Sequence, residues 1–371
     1  MIDPVKILKR AWYILWSYRA LWVFGLILAL AAGGSSGQGS NNSGSRYEQN
    51  SGDNVHVTPQ SMQQAWHEFQ REWDKLFVQG IPEASISGPE LSTFLWVIGA
   101  FVLVMFIVGI VMAVARYVSE TAVIRMVDEY ETTGEKMSVR QGFRIGWSST
   151  AWRLFLINLI VNLPIITLLL VLLIAGVMVF FSVINGSANF AAFSVVSAIV
   201  LGFITIFVVA VLSILLRLLR NFFWRVAALE GAGVRESLQR GFAMALENWK
   251  SVGLMWLVMI GLGIVWTVAA IILIVVSIPV VMVTMVLAAL VAAVPYLMLV
   301  GLFSTFLGSF LPWIAAGLFI APLFFPLAFA PWVLLGSWQS VYTSSVWTLT
   351  YREIKALPAL TPPPQVEPAA S

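Results

Sequence analysis

The chain has 371 residues, of which 60% are apolar and only 11% are Asp, Glu, Lys or Arg, with a mean hydropathy of +0.90. A water-soluble domain carries about 25% charged residues because its outer shell faces water, so this composition excludes a soluble globular enzyme and a disordered protein. The absence of Cys excludes a disulfide-stapled domain and any thiolate metal site. The net charge of +3 matters less than where the charges fall.

Residues 1–32 open with Lys6, Lys9 and Arg10 and run into the apolar Ala20–Ala32. A membrane helix needs about 20 residues to cross about 30 Å of hydrocarbon. The spacing therefore predicts a cytoplasmic amphipathic start and a first crossing over 12–32, with Arg19 snorkelling to the surface. The same segment also reads as a signal peptide, with Leu21–Leu30 as its apolar region and Ala29-Leu30-Ala31 as a small-residue cleavage site. Against cleavage stands the internal recurrence of its layout, described below.

Residues 33–90 form a loop expected on the outer side. Its first part, 33–54, is rich in Gly, Ser and Asn and too polar to fold. Thr58-Pro59 and Gly80 then bracket an amphipathic helix over 59–79 whose stripe is Met62, Trp66, Phe69, Trp73, Leu76 and Phe77. The two histidines, His56 and His67, lie here without a second ligand at metal spacing. Glu68, Glu72 and Asp74 are interleaved with Arg71 and Lys75, as on a solvated helix face.

Residues 91–356 read as a helical membrane bundle. Leu91–Ala115, Leu154–Leu216 and Ser251–Tyr351 hold no charged side chain. Further crossings are expected at about 92–116, 154–181, 191–217, 252–277 and 314–350, six in all. The second and fourth continue past the membrane through Val118–Glu129 and Leu218–Leu229. Pro279–Leu311, interrupted at Pro295, is an additional apolar insertion, either a hairpin or re-entrant element in a six-pass protein or part of an eight-pass one. Residues 357–371 are a short disordered cytoplasmic tail.

Three segments share one layout, in which a basic amphipathic stretch enters an apolar helix and a second apolar helix returns. They begin at Leu8-Lys9-Arg10-Ala11-Trp12, at Ser138-Val139-Arg140-Gln141-Gly142-Phe143 and at Ser237-Leu238-Gln239-Arg240-Gly241-Phe242. Val234, Leu238, Phe242, Ala245 and Trp249 recur at helical spacing with Arg235, Arg240 and Lys250 on other faces. Such a helix either lies on the membrane surface, offering cations to anionic headgroups, or is a plain elbow between crossings. Ser138 and Gln141 form a capping box.

With the N-terminus inside, 18 of the 21 Lys and Arg fall on the cytoplasmic side and only Arg46, Arg71 and Lys75 outside. The inner side, with 11 acids, then carries +7, and the 33–90 loop, with 7, carries −4. This asymmetry places both termini in the cytoplasm.

Sites of chemistry are not evident: no catalytic, cofactor-binding or metal-binding residue is assigned. No phosphate loop, nucleophile elbow or His-Glu-x-x-His motif occurs, and no Asp, Glu, His, Lys or Arg lies within the main spans Leu91–Ala115, Leu154–Leu216 and Ser251–Tyr351. Asn158 and Asn162 share a face just before Pro164 and are expected to hydrogen-bond a neighbouring helix. Gly253, Gly261 and Gly263 suit close helix packing. The acidic run Asp128, Glu129, Glu131 and Glu135 reads as a solvated connection, and nucleic-acid binding is not expected.

Arg10-Ala11-Trp12 leading into Leu21-Trp22-Val23-Phe24-Gly25-Leu26, the two Ser-x-x-x-Gly-Phe starts, and the terminal Ser345-Val346-Trp347-Thr348-Leu349-Thr350-Tyr351-Arg352-Glu353 carry a resemblance. The layout resembles uncharacterised bacterial multi-pass proteins similar to the membrane domain of the glycerophosphoryl diester phosphodiesterase family. The resemblance implies a helical bundle in a bacterial plasma membrane, and it carries over no catalytic residue. Three functions follow as expectations. The first is a non-enzymatic scaffold, accessory subunit or lipid-environment protein, its partners membrane lipids and a membrane protein. The second is a permease or exporter for an apolar or lipidic solute, built on the proline-interrupted 279–331 region. The third, an enzyme, is the hardest to build from so few polar groups.

Overall fold

The computed structural model describes residues 2–32, 88–185, 188–308 and 310–360, and among these every regular element is helical. The helices are α1 (Pro4–Ser17), α2 (Ala20–Ala32), α3 (Gly88–Thr133), α4 (Val139–Gly146), α5 (Ser149–Asn185), α6 (Ala188–Leu229), α7 (Val234–Glu247), α8 (Trp249–Phe303), α9 (Leu311–Ala328) and α10 (Ala330–Leu360). The all-α expectation holds. Five helices are long and apolar enough to cross a membrane: Ser92–Thr133, Ser149–Phe181, Ile199–Leu229, Trp249–Phe303 and Leu311–Ala328. The bent pair of α1 and α2 makes a sixth if it is one span. Their apolar side chains are outward-facing, as lipid-facing surfaces are; no more than 6% of the most apolar stretch is buried in four of the five. Residues 33–87, and with them the helix expected at 59–79, His56, His67 and the Glu68–Glu72–Asp74 group, lie outside the described residues, as does the tail from 361, while 88–90 of the expected loop belong to α3.

Two compact units divide the chain. One comprises Met1–Ser40, Phe94–Leu159 and Arg217–Ser371; the other comprises Asn41–Thr93 and Ile160–Leu216. In the second, the stretches of α5 and α6 are apolar and exposed, as at Leu173, Phe203 and Phe207.

Three expected boundaries change. The 12–32 crossing is two helices that meet at about a right angle, bent by 100° at Tyr18-Arg19. Asp3 starts the first by accepting from the Val5 and Lys6 amides at 3.0 and 3.2 Å. Ile7, Ala11, Ile14 and Leu15 then form its buried face, leaving Trp12, Tyr13 and Trp16 exposed. The Pro279–Leu311 insertion is not a hairpin. α8 runs 55 residues, about 80 Å, straight through Pro279 and Pro295, because an internal proline removes one backbone bond without reversing the chain. The reversal comes at 304–310, and α9 then packs back along α8, with Phe303 and Phe319 5.6 Å apart. The expected 314–350 helix is interrupted at Phe329, between α9 and α10. Thr284 Oγ1 donates to the Ala328 carbonyl there at 2.7 Å, taking up an acceptor that would otherwise face an apolar medium.

The expected continuation of the second and fourth crossings is present. α3, α6 and α10 run on beyond their apolar stretches, and these extensions form the core of the unit. From Val118 to Val127 in α3 every residue except Arg125 is buried, as is every residue from Arg220 to Ala228 in α6. In α10 the same is true from Ser344 to Tyr351.

Each short amphipathic helix lies on one extension, in cyclic order. α4 crosses α3: a Cβ on Gly142 would stand 2.5 Å from Met126 Sδ, and one on Gly146 would stand 2.5 Å from the Val118 carbonyl. α7 crosses α6, where Gly241 has Phe223 Cδ1 at 2.6 Å from the same virtual atom. α1 lies on α10, with Tyr342 donating to the Leu8 carbonyl at 3.4 Å. The three repeat starts thus close a ring; a Gly is the crossing point of α4 and of α7, and Ala11 is buried at the matching position of α1. α4 opens with the capping box of Ser138 and Gln141. α7 buries Ser237, Gly241 and Ala245, while its larger apolar Phe242 and Leu246, and Trp249 at the start of α8, face outward.

Gly253, Gly261 and Gly263 make no close approach: a Cβ on any of them meets nothing within 4 Å. The close glycines are elsewhere. At Gly25 a Cβ would sit 2.7 Å from the Ser337 carbonyl, and at Gly146 the obstruction is again backbone. Gly25→Ala and Gly146→Ala are expected to destabilise by about 1–3 kcal/mol. Gly261→Ala should be neutral or stabilising by up to about 1 kcal/mol. Thermal unfolding in nanodiscs checks the contrast, and equal effects at Gly146 and Gly261 would refute the crossing described.

Candidate functional site

The extensions bring together a polar core with one contributor from each return helix. Arg225 of α6 is only 1% exposed. Its Nη1 donates to the Asn221 carbonyl at 2.9 Å and to Asn221 Oδ1 at 3.3 Å; its Nη2 donates to the Ser344 carbonyl at 3.1 Å and to Ser344 Oγ at 3.5 Å. The Ser344 hydroxyl of α10 in turn donates to Glu120 Oε1 of α3 at 2.9 Å. A guanidinium, a hydroxyl and a carboxylate are thus linked across three helices, all buried. The Arg225 Nε has no hydrogen-bond partner.

A second chain of bonds runs beside it. Arg220 Nη1 donates to Asn158 Oδ1 at 3.0 Å, and Asn158 Nδ2 donates to the Tyr117 hydroxyl at 2.9 Å. The Arg220 guanidinium also lies 5.0 Å from the ring centre of Trp224, a cation–π contact that favours the charge where water is scarce. Arg125 donates to the carbonyls of Ala228 and Ile145 at 2.9 and 3.0 Å, to Ser148 Oγ at 3.4 Å and to Thr150 Oγ1 at 2.8 Å. Arg153 donates to the carbonyls of Gly231 and Ala232 at 2.5 and 3.2 Å.

Next to Arg125 lies an apolar groove of about 340 Å³, between α3 and the elbow that joins α4 to α5. Ile110, Val114 and Tyr117 form one wall, and Trp147, Trp152 and Phe155 the other. Trp147 and Trp152 are 72% and 63% exposed at its edge.

Ion pairs close the far end. Arg10 binds Glu131 at 2.7 Å, Arg352 binds Asp128, and Glu230 receives Lys355 at 2.7 Å, Tyr351 at 2.6 Å and Arg240 at 3.3 Å. Burial pushes the Glu230 carboxyl up, yet the hydrogen bonds from Lys355 and Tyr351 outweigh it and hold the group below the usual carboxylate range. Burial, then the bond to that carboxylate, pushes the Tyr351 phenol up. Asp128 and Glu131 are therefore not simply a solvated face: each ties α3 to another helix.

Of the residues singled out in the sequence, Asn158 makes the expected bonds to neighbouring helices. Glu120, Arg220 and Arg225 escape sequence reasoning because they lie beyond the expected crossings, where an ionisable group draws no notice, and Ser344 because a lone serine within the expected 314–350 crossing gives no signal. Their signal is a charged residue in an otherwise apolar helical continuation, as in Phe222-Phe223-Trp224-Arg225-Val226-Ala227. Among the described residues no group of three or more His, Asp or Glu side chains is placed to hold a metal ion.

Comparison with curated proteins and with solved structures gives no match. A family's sequence model does match, over residues 9–344, which include the polar core, the groove, α4, α7 and the larger part of α1. The chain belongs to that family, DUF7544, whose function is unknown.

Proposed function

We propose that this chain is a non-enzymatic multi-pass protein of a bacterial cytoplasmic membrane, a scaffold or accessory subunit whose basic end rests on anionic lipid headgroups. One observation carries the reading: each short amphipathic helix leaves aromatic and cationic side chains exposed together. They are Trp12 and Trp16 with Lys9 and Arg10, Phe143 and Trp147 with Arg140 and Arg144, and Phe242 and Trp249 with Arg240 and Lys250. Amphipathic helices at a membrane surface have this composition, apolar rings below the headgroups and cations among them.

The polar core supports a structural rather than a catalytic role. Its hydroxyl and carboxylate are bonded to each other and buried, so neither is presented to a substrate. The transport reading, built on 279–331, finds regular helix over 279–303 and departures from helix only between α8 and α9 and at Phe329. Six crossings suit the bundle best, with both chain ends at the charged end. The likeness to the membrane domain of glycerophosphoryl diester phosphodiesterases belongs to the same proposal.

Purification from native membranes in a mild detergent, followed by mass spectrometry, tests it. A protein partner or tightly held lipid should accompany the chain. Recovery as a bare monomer would overturn the scaffold role.

A further inference from the structure

We infer that the groove between α3 and the α4–α5 elbow is a binding site for one anionic glycerophospholipid, an acyl chain lying along α3 and the phosphate meeting the Arg125–Ser148 end. The inference rests on the membrane reading above and deepens it.

The groove follows α3 from Ile110 to Val118, two turns or about 12 Å. At about 340 Å³ it is in the size range of small-ligand sites. Its walls are apolar side chains, so a hydrocarbon chain suits it and a polar solute does not. Ile110 and Val114 are exposed on its upper wall, so a lipid has a lateral way in.

The lower end differs in charge. Ser148 both lines the groove and accepts from Arg125 Nη1. A guanidinium has five N–H groups, and Arg125 makes four described bonds, every one to a neutral acceptor. Arg153 likewise donates only to carbonyls. Among the described residues neither cation has a carboxylate partner, whereas Arg10, Arg240, Arg352 and Lys355 all do. Two uncompensated cations behind a half-buried hydroxyl whose own proton is uncommitted suit a phosphate oxygen, since charge-assisted bonds to phosphate are strong. Trp147 and Trp152 stand at the edge, where indole rings favour the headgroup level.

The test uses the full chain in nanodiscs and native mass spectrometry after release into detergent. The probes are phosphatidylglycerol and phosphatidylcholine with identical acyl chains. Wild type should retain one phosphatidylglycerol at least tenfold better than phosphatidylcholine. Ala113→Trp, at an exposed position on the α3 wall, should abolish retention of both while leaving the melting temperature unchanged. Arg125→Gln should remove the preference between them. Undiminished phosphatidylglycerol retention in folded Ala113→Trp would overturn the site, and equal retention of the two lipids by wild type would overturn the headgroup assignment. Release of the chain from membranes by alkaline carbonate would instead defeat the membrane reading itself, which keeps the two failures apart.

Discussion

Arg225→Ala is expected to lower stability by about 3–5 kcal/mol, the range seen when one partner of a buried charge arrangement is removed. The guanidinium holds four acceptors on two helices, Asn221 of α6 and Ser344 of α10, and sits fully enclosed. Its loss leaves the Glu120 carboxyl in the core with the Ser344 hydroxyl and the neighbouring Arg220 charge, and opens a void of side-chain size. Arg225→Met separates the void from the rest, because it keeps most of the volume and removes the charge together with its hydrogen bonds. If charge dominates, Met is nearly as harmful as Ala. Adding Glu120→Leu to Arg225→Met should then recover most of the loss, since a well-packed apolar replacement of a buried charge pair is often neutral. Glu120→Gln keeps the acceptor for Ser344 but leaves the Arg225 charge without its carboxylate, so it should cost more than a lost hydrogen bond, about 1 kcal/mol, and less than Arg225→Ala. Denaturant unfolding in nanodiscs, followed by tryptophan fluorescence, gives these differences. A loss below about 1 kcal/mol for Arg225→Ala would show that the core does not depend on its charge.

That core also marks where sequence reasoning reaches and where it stops. The repeat was legible because its crossing points need a small residue at one helical position: Ala11, Gly142 and Gly241 recur in the same place in each unit. The capping box was legible because it is local, set by Ser138 and Gln141 alone. The continuation of α3 and α6 past their apolar stretches was legible in the unbroken helical pattern. What brings Glu120, Arg225 and Ser344 together is the closing of the ring, in which α1 of the first unit lies on α10 of the last. No local pattern encodes that closure. The proline-rich region misled for the opposite reason. A proline in water breaks a helix, but in an apolar medium the rest of the helix has no better partner for its backbone groups, so α8 continues through Pro279 and Pro295. The bend at Tyr18-Arg19, absent from the hydropathy pattern, separates the amphipathic α1, which lies on α10, from the apolar α2.

Cysteine labelling is expected to give an all-or-none result. A Cys at Ser43 should react with an impermeant maleimide added to intact cells, and a Cys at Ser371 should react only after the cells are opened. The chain has no native Cys, so either single substitution is the sole reactive thiol. The physical driver is the separation of charge, +7 against −4, because moving Lys and Arg across the membrane is disfavoured. The ion pairs add a second argument. Arg10 near the start of the chain binds Glu131, Arg352 near its end binds Asp128, and Tyr342 reaches the Leu8 carbonyl. The first and last helices therefore share one end of the unit, and moving one terminus across the membrane would mean moving both. The opposite orientation would carry 18 cations outward and leave three inside. Reaction at Ser371 in intact cells, or protection at Ser43, would invert the protein, put the exposed Arg140, Arg144 and Lys250 on the outer leaflet, and remove the anionic-headgroup role proposed for that end.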